Sequence, residues 1–325
     1  MRRRDFLGGA AGAGLAWPRI AWAQSSKPKR LGLLNGGTPA GTRERDKCFQ
    51  DGLRQLGWIE GQNVVFESRW ANGDTARVPG LAAELVRLSP DLIMTSGTPS
   101  AQAMRRATQD IPVVFNMVSD PVASGVVTNL ARPEGNITGV SNFFPAMIGK
   151  LLELIETASS ARRIAVIHDP TNAGKQLDVR TLQDSAKAMG VTIEPLPVRN
   201  GQDIETAFKA MTTNRPDALI VLVDGVTLNH GKEIVHGVAE QRLPAIYQER
   251  TFVELGGLMS YALNYCQHFR RAADYVDKIL KGAKPSSLPV EQPSTFQFVV
   301  NLKAAKAIGI TLPAKILAFA DDVIE

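Results

Sequence analysis

The stretch that decides the fold is PDLIMTSGTPSAQAM, residues 90–104. Asp91-Leu92-Ile93-Met94-Thr95 is a short, nearly unbroken apolar run, as a strand covered on both faces requires. Ser100 to Thr108 then has helical spacing. Between the two, Gly97-Thr98-Pro99-Ser100 forms a polar turn, with Thr98 expected as the helix cap and Pro99 as its first residue. Strand, turn and helix in this order are half of a βαβ crossover, and crossovers build parallel sheets.

The alternation continues outward in both directions. Leu31 to Leu34 is apolar, Thr42 to Leu56 is helical and Asn63 to Trp70 reads as a strand. A helix over 77–88 precedes the quoted stretch, and a strand from Pro112 to Asn116 follows it. The same order then returns: strand 163–168, helix 177–189, strand 191–195, helix 203–212, strand 218–223, helix 231–241 and strand 244–247. Local matches accompany it. Pro90-Asp91-Leu-Ile answers Pro216-Asp217-Ala-Leu-Ile, and Ile111-Pro112-Val-Val answers Leu243-Pro244-Ala-Ile. Gly57 before VVFE answers Gly190 before VTIE, so three landmarks keep their order at offsets of about 126 to 133 residues. The fold class expected is α/β, with two Rossmann-like doubly wound lobes.

The N-terminal 23 residues read as a leader rather than as fold. Arg2-Arg3-Arg4 is a basic start, Gly8 to Trp17 is mildly apolar, and Ala21-Trp22-Ala23 is a cleavage site. Arg3-Arg4-Asp5-Phe6-Leu7 matches the twin-arginine export pattern, with Sec export as the alternative. The mature chain of 302 residues is then expected to be soluble and periplasmic. Its formal charge falls from +5 to +2, because the leader holds four arginines against Asp5. That balance argues against a nucleic-acid surface. A bridge between Cys48 and Cys266 is possible in an oxidising compartment, but their distance in sequence says nothing of their separation in space, and two separate buried thiols are the first expectation.

Open α/β sheets bind ligands beyond the carboxyl ends of their strands, so two facing lobes form a cleft there. Ser96, Thr98, Pro99 and Ser100 fall at one such end, where a helix start carrying hydroxyls accepts an anionic group. Asp224 falls at the equivalent end in the second half, and Asp120, Asp169 and Asn172 follow other strands. Opposite poles across a cleft suit an amino acid zwitterion. Thr38, Asn142 and Tyr247 complete the expected ligand-binding set, with Trp70, Phe143 or Tyr247 as stacking walls. The chain has no H-E-x-x-H, C-x-x-C or G-x-S-x-G, and Ala173-Gly174-Lys175-Gln176 is an incomplete P-loop. Neither catalysis, metal nor cofactor is expected.

Several blocks resemble one family, the ABC-transporter substrate-binding proteins that include tryptophan/tyrosine-binding members. They are Ser96-Gly-Thr-Pro-Ser-Ala, Ile111-Pro-Val-Val-Phe, Ser119-Asp-Pro-Val and Pro133-Glu-Gly-Asn-Ile-Thr-Gly-Val. Gly256-Gly-Leu-Met-Ser-Tyr, Leu288-Pro-Val-Glu-Gln-Pro and Val300-Asn-Leu-Lys-Ala-Ala-Lys-Ala-Ile-Gly continue the likeness. The resemblance implies a type I periplasmic binding fold with hinge crossings near 141–143, 257–260 and 288–293. It assigns residues 28–142 with 258–290 to lobe I, and 143–257 with 291–325 to lobe II. It also implies a monomeric receptor for a small carboxylate-bearing molecule, an amino acid or an aromatic acid, with an ABC permease and its cytoplasmic ATPase as partner and the ligand carboxylate at Thr98, Pro99 and Ser100. Two departures stand out: Asp224-Gly225 where the family reads Asp-Pro, and Asn264 where it has an acid. A sensory receptor of the same fold is the alternative role, and an exported enzyme a more distant one.

Overall fold

The computed structural model of the protein describes residues 27–142 and 145–325. The expected leader and the stacking role of Phe143 lie outside the described residues. The first lobe runs through β1 (Lys29–Asn35), α1 (Pro39–Gln55), β2 (Val64–Trp70), α2 (Val78–Arg87), β3 (Leu92–Ser96), α3 (Thr98–Ala107), β4 (Val113–Val118) and β5 (Ile137–Ser141). The second holds α4 (Pro145–Ser159), β6 (Arg163–His168), α5 (Ala173–Met189), β7 (Thr192–Pro197), α6 (Gly201–Thr213) and β8 (Ala218–Val221). It continues with α7 (Gly225–Asn229), α8 (Gly231–Glu240), β9 (Ala245–Tyr247), α9 (Arg250–Glu254) and β10 (Met259–Leu263). After α10 (Tyr265–Leu280) come β11 (Phe296–Asn301), α11 (Leu302–Ile308), α12 (Ala314–Phe319) and β12 (Asp322–Ile324).

The duplication is exact in topology. The first sheet has the order β2-β1-β3-β4-β5, and within the second β7-β6-β8-β9-β10 repeats it, extended by β11 and β12. Every pairing is parallel except β10 with β11. Alternate residues supply the two faces of each sheet. In β3, Leu92 and Met94 enter one apolar cluster and Ile93 another. In β8, Ala218 and Ile220 likewise part from Leu219 and Val221. Covering on both faces explains why these strands read as continuous apolar runs. Among the described residues no helix is long and apolar enough to cross a membrane.

Two expectations are corrected here. The second crossing lies after Leu263, not at 257–260, because Met259 and Ser260 pair with Ile246 and Tyr247 of β9 and with Val300 and Val299 of β11. Only then does the chain cross, with Asn264 capping α10. That helix packs on α1 through Phe49, Leu53, Phe269 and Val276. The chain returns past β5, where Glu291 exchanges backbone hydrogen bonds with Gly139 and Ser141. The second correction follows from this excursion. Cys48 on α1 and Cys266 on α10 form a disulfide across 218 residues, with Cα atoms 5.2 Å apart.

Candidate functional site

In each sheet the strand order reverses beside its first strand, between β1 and β3 and between β6 and β8. The loops leaving those strands face one another across the lobes. They enclose a cavity of about 70 Å³, several times the roughly 10–15 Å³ that one water needs. The lobes touch around it. Thr75 and Thr171 share a hydroxyl hydrogen bond of 2.7 Å, and the Ser119 hydroxyl donates to Asp178 at 3.4 Å. The Gly225 Cα faces the Gly36 carbonyl so closely that a Cβ would lie 2.8 Å from the oxygen. This is a closed clamshell.

One wall is the start of α3. Its N-cap is Gly97, at φ 92°, rather than Thr98; Thr98 is the first helical residue and Pro99 the second. Only glycine holds that backbone angle without strain. Thr98 is instead a brace, since its buried hydroxyl accepts the Ser119 N–H at 3.1 Å. Ser96, Thr98, Pro99 and Ser100 all line the cavity, and the first turn of any helix leaves backbone N–H groups without intrahelical partners. Asn142, in the first crossing, lines it as well. This residue is 6% exposed, and its Oδ1 has no hydrogen-bond partner among the described residues. A buried acceptor left open beside a cavity calls for a donor from a bound molecule.

The opposite wall is acidic. Asp224 caps α7 in a reciprocal box with Thr227, its Oδ1 accepting the Thr227 N–H at 2.9 Å. Its Oδ2 accepts the Asp169 N–H at 3.1 Å. Asp169 is buried, and its Oδ1 takes the N–H and hydroxyl of Thr171. Burial and the nearby Asp169 charge push the Asp224 carboxyl up to about 6. Among the described residues neither aspartate forms an ion pair. Lys175, also in the wall, is engaged by Asp178 at 2.5 Å and by the Gln248 side-chain oxygen at 3.2 Å. Asn172, the cap of α5, lines the cavity too.

Three expected residues do not line the cavity. Thr38 caps α1 by accepting the Gly41 N–H. Asp120, at φ 34°, closes its own turn onto the Ala123 N–H. Tyr247 ends β9 with its ring inside the lobe, stacked on Phe252 at 5.0 Å and fully buried. Trp70 sits behind the wall, donating to Thr42. The apolar part of the lining is therefore aliphatic: Val78, Met117, Val223 and Leu228. Arg45 and Lys175 were not expected. Lys175 was visible only as part of the incomplete P-loop, and Arg45, mid-helix in α1, carried no signal. No group of three or more His, Cys, Asp or Glu among the described residues is placed to hold a metal ion.

A family model described as ABC transporter substrate binding protein matches residues 39–324. The tyrosine-binding protein of Clostridioides difficile strain R20291 is 28% identical over 288 residues, covering 88% of this chain and 82% of that protein. An ABC domain from Streptococcus pneumonia, solved in complex with L-Trp, superposes with a TM-score of 0.85 at 28% identity, over 92% of this chain and 100% of that one. The ligand-free, open structure of a substrate binding protein with adhesive properties from Clostridium difficile gives 0.65 at 26% identity, over 91% and 99%. The lobe arrangement here is thus nearer to the L-Trp complex than to the open form.

Proposed function

The chain belongs to the ABC transporter substrate-binding protein family, and from that premise we propose that it is the periplasmic receptor of an importer, closing on an amino acid and presenting it to a membrane permease driven by a cytoplasmic ATPase. The observation that carries the cargo class is the two-signed cavity. Asp224 and Asp169, neither of them ion-paired among the described residues, offer an acidic wall for an ammonium group, and the α3 start with Ser96 and Ser100 offers N–H and hydroxyl donors for a carboxylate. Asn142 adds an open acceptor at the hinge. The named ligands of the two relatives, tyrosine and L-Trp, put aromatic amino acids first. The leader of residues 1–23 supports passage out of the cytoplasm before folding is complete or after it, by either export route.

A thermal-shift screen of refolded protein tests this reading, with amino acids, aromatic carboxylates, sugars and purines as the panel. A ligand at a hundred times its dissociation constant adds about 2.7 kcal/mol, enough to raise the melting temperature by several degrees. The expected result is a shift from amino acids, led by tryptophan and tyrosine. A shift from sugars or purines, with none from any carboxylate, would contradict it.

A further inference from the structure

A second set of groups bridges the lobes beside the cavity and meets it at Arg45. Arg45 rises from α1 in the first lobe, and Glu249 follows β9 in the second. Their side chains are 14% and 5% exposed, and the Arg45 Nη2 donates to the Glu249 Oε2. Burial drives the Glu249 carboxyl above its usual range, and Arg45 is the foremost influence pulling it back. A pair this buried is costly to half-dismantle, because removing either partner leaves the other charge desolvated.

The pair is tied to the hinge. The Arg45 guanidinium carbon lies 4.3 Å from the centre of the Tyr265 ring, within range of a cation–π attraction. Tyr265 is the first residue of α10, directly after the second crossing, and its hydroxyl donates to the Gln248 carbonyl at 2.9 Å. The Gln248 side-chain oxygen in turn accepts from Lys175 and from the Val223 N–H in the cavity wall. The disulfide stands at the same place: Cys48 is one helical turn on from Arg45, and Cys266 is next to Tyr265.

We infer that Arg45 and Glu249 form a latch that holds the lobes closed, and that the Cys48–Cys266 bridge keeps its two first-lobe parts, Arg45 and the Tyr265 ring, in register. When the lobes part, Glu249 leaves with the second lobe while Arg45, Tyr265 and the bridge stay with the first. The latch therefore sets the balance between open and closed forms whichever small molecule the cavity takes. Arg45 also lines the cavity, but Glu249 and both cysteines lie outside the lining, so replacing them tests the latch without removing a lining residue.

Small-angle X-ray scattering on ligand-free protein tests this without reference to any ligand. Glu249→Gln should shift the radius of gyration upward, towards an open ensemble. Cys48→Ser/Cys266→Ser should shift it in the same direction by less, and combining the two should add nothing to Glu249→Gln alone. A merely structural role for Glu249 would lower the melting temperature and leave the radius of the folded protein alone. A radius for Glu249→Gln equal to wild type overturns the latch. Full additivity in the combined variant overturns the part assigned to the bridge, and if the bridge-less variant does not fold, Glu249→Gln still decides the latch.

Discussion

Asp224 does two things with one carboxylate: it caps α7 and it faces the cavity. Its pKa, raised to about 6 from 3.8, means that the closed protein keeps the proton to a higher pH than the unfolded chain does. A raised folded pKa contributes stability that is fully present below about 3.8 and is lost as pH rises through about 6. At neutral pH the ionised group is therefore held at a cost, and a ligand ammonium offsets that cost. Affinity for an amino acid should be flat above neutrality and fall as pH drops below about 6, with proton release on binding in that range. Asp224→Asn should weaken binding at pH 7.5 at least tenfold, about 1.4 kcal/mol, and flatten the pH profile. Calorimetry between pH 5 and 8 reads both, and an unchanged affinity would remove Asp224 from the site.

The start of α3 separates two neighbouring hydroxyls by task. Thr98 supplies a buried acceptor to Ser119, so Thr98→Val should cost about 1–3 kcal/mol of folding stability by leaving that N–H unpaired. Ser100→Ala should instead weaken binding with little effect on stability; denaturant titration beside calorimetry distinguishes the two. The placement of both residues was legible in the sequence, because the apolar run Leu92 to Met94 marks the strand and so the site of the turn. Asp169 and Asp224 were legible for the same reason. What sequence alone missed depends on long-range geometry. Met259 to Leu263 is an apolar strand that either sheet could have taken, and its partners β9 and β11 decide the matter. The disulfide needed α10 to return to α1, and no local pattern states that. Tyr247 stands at the end of a central strand, yet its ring points along the buried face to Phe252 rather than into the cleft.

At the scale of the molecule, function lies in closure, and closure has a steric condition. Gly225 meets the Gly36 backbone, where a Cβ would sit 2.8 Å from the carbonyl oxygen. Backbone cannot yield as a side-chain tip can. Gly225→Ala should therefore keep the lobes from seating fully and weaken binding about tenfold or more, while the melting temperature of the ligand-free protein stays within a few degrees of wild type. Scattering with saturating ligand should show the variant more expanded than the wild-type complex. The duplicated sheets make this arrangement natural, because each lobe brings the reversal point of its own strand order to the shared cavity. Two-pole recognition is tested by calorimetric titration with the amino acid giving the largest thermal shift, with its carboxamide, and with the acid lacking its amino group. Recognition at two poles predicts that each altered molecule binds at least tenfold more weakly than the amino acid. Equal affinity for the acid without its amino group would contradict the acidic wall as an ammonium site, and with it the reading of the cavity as an amino acid site.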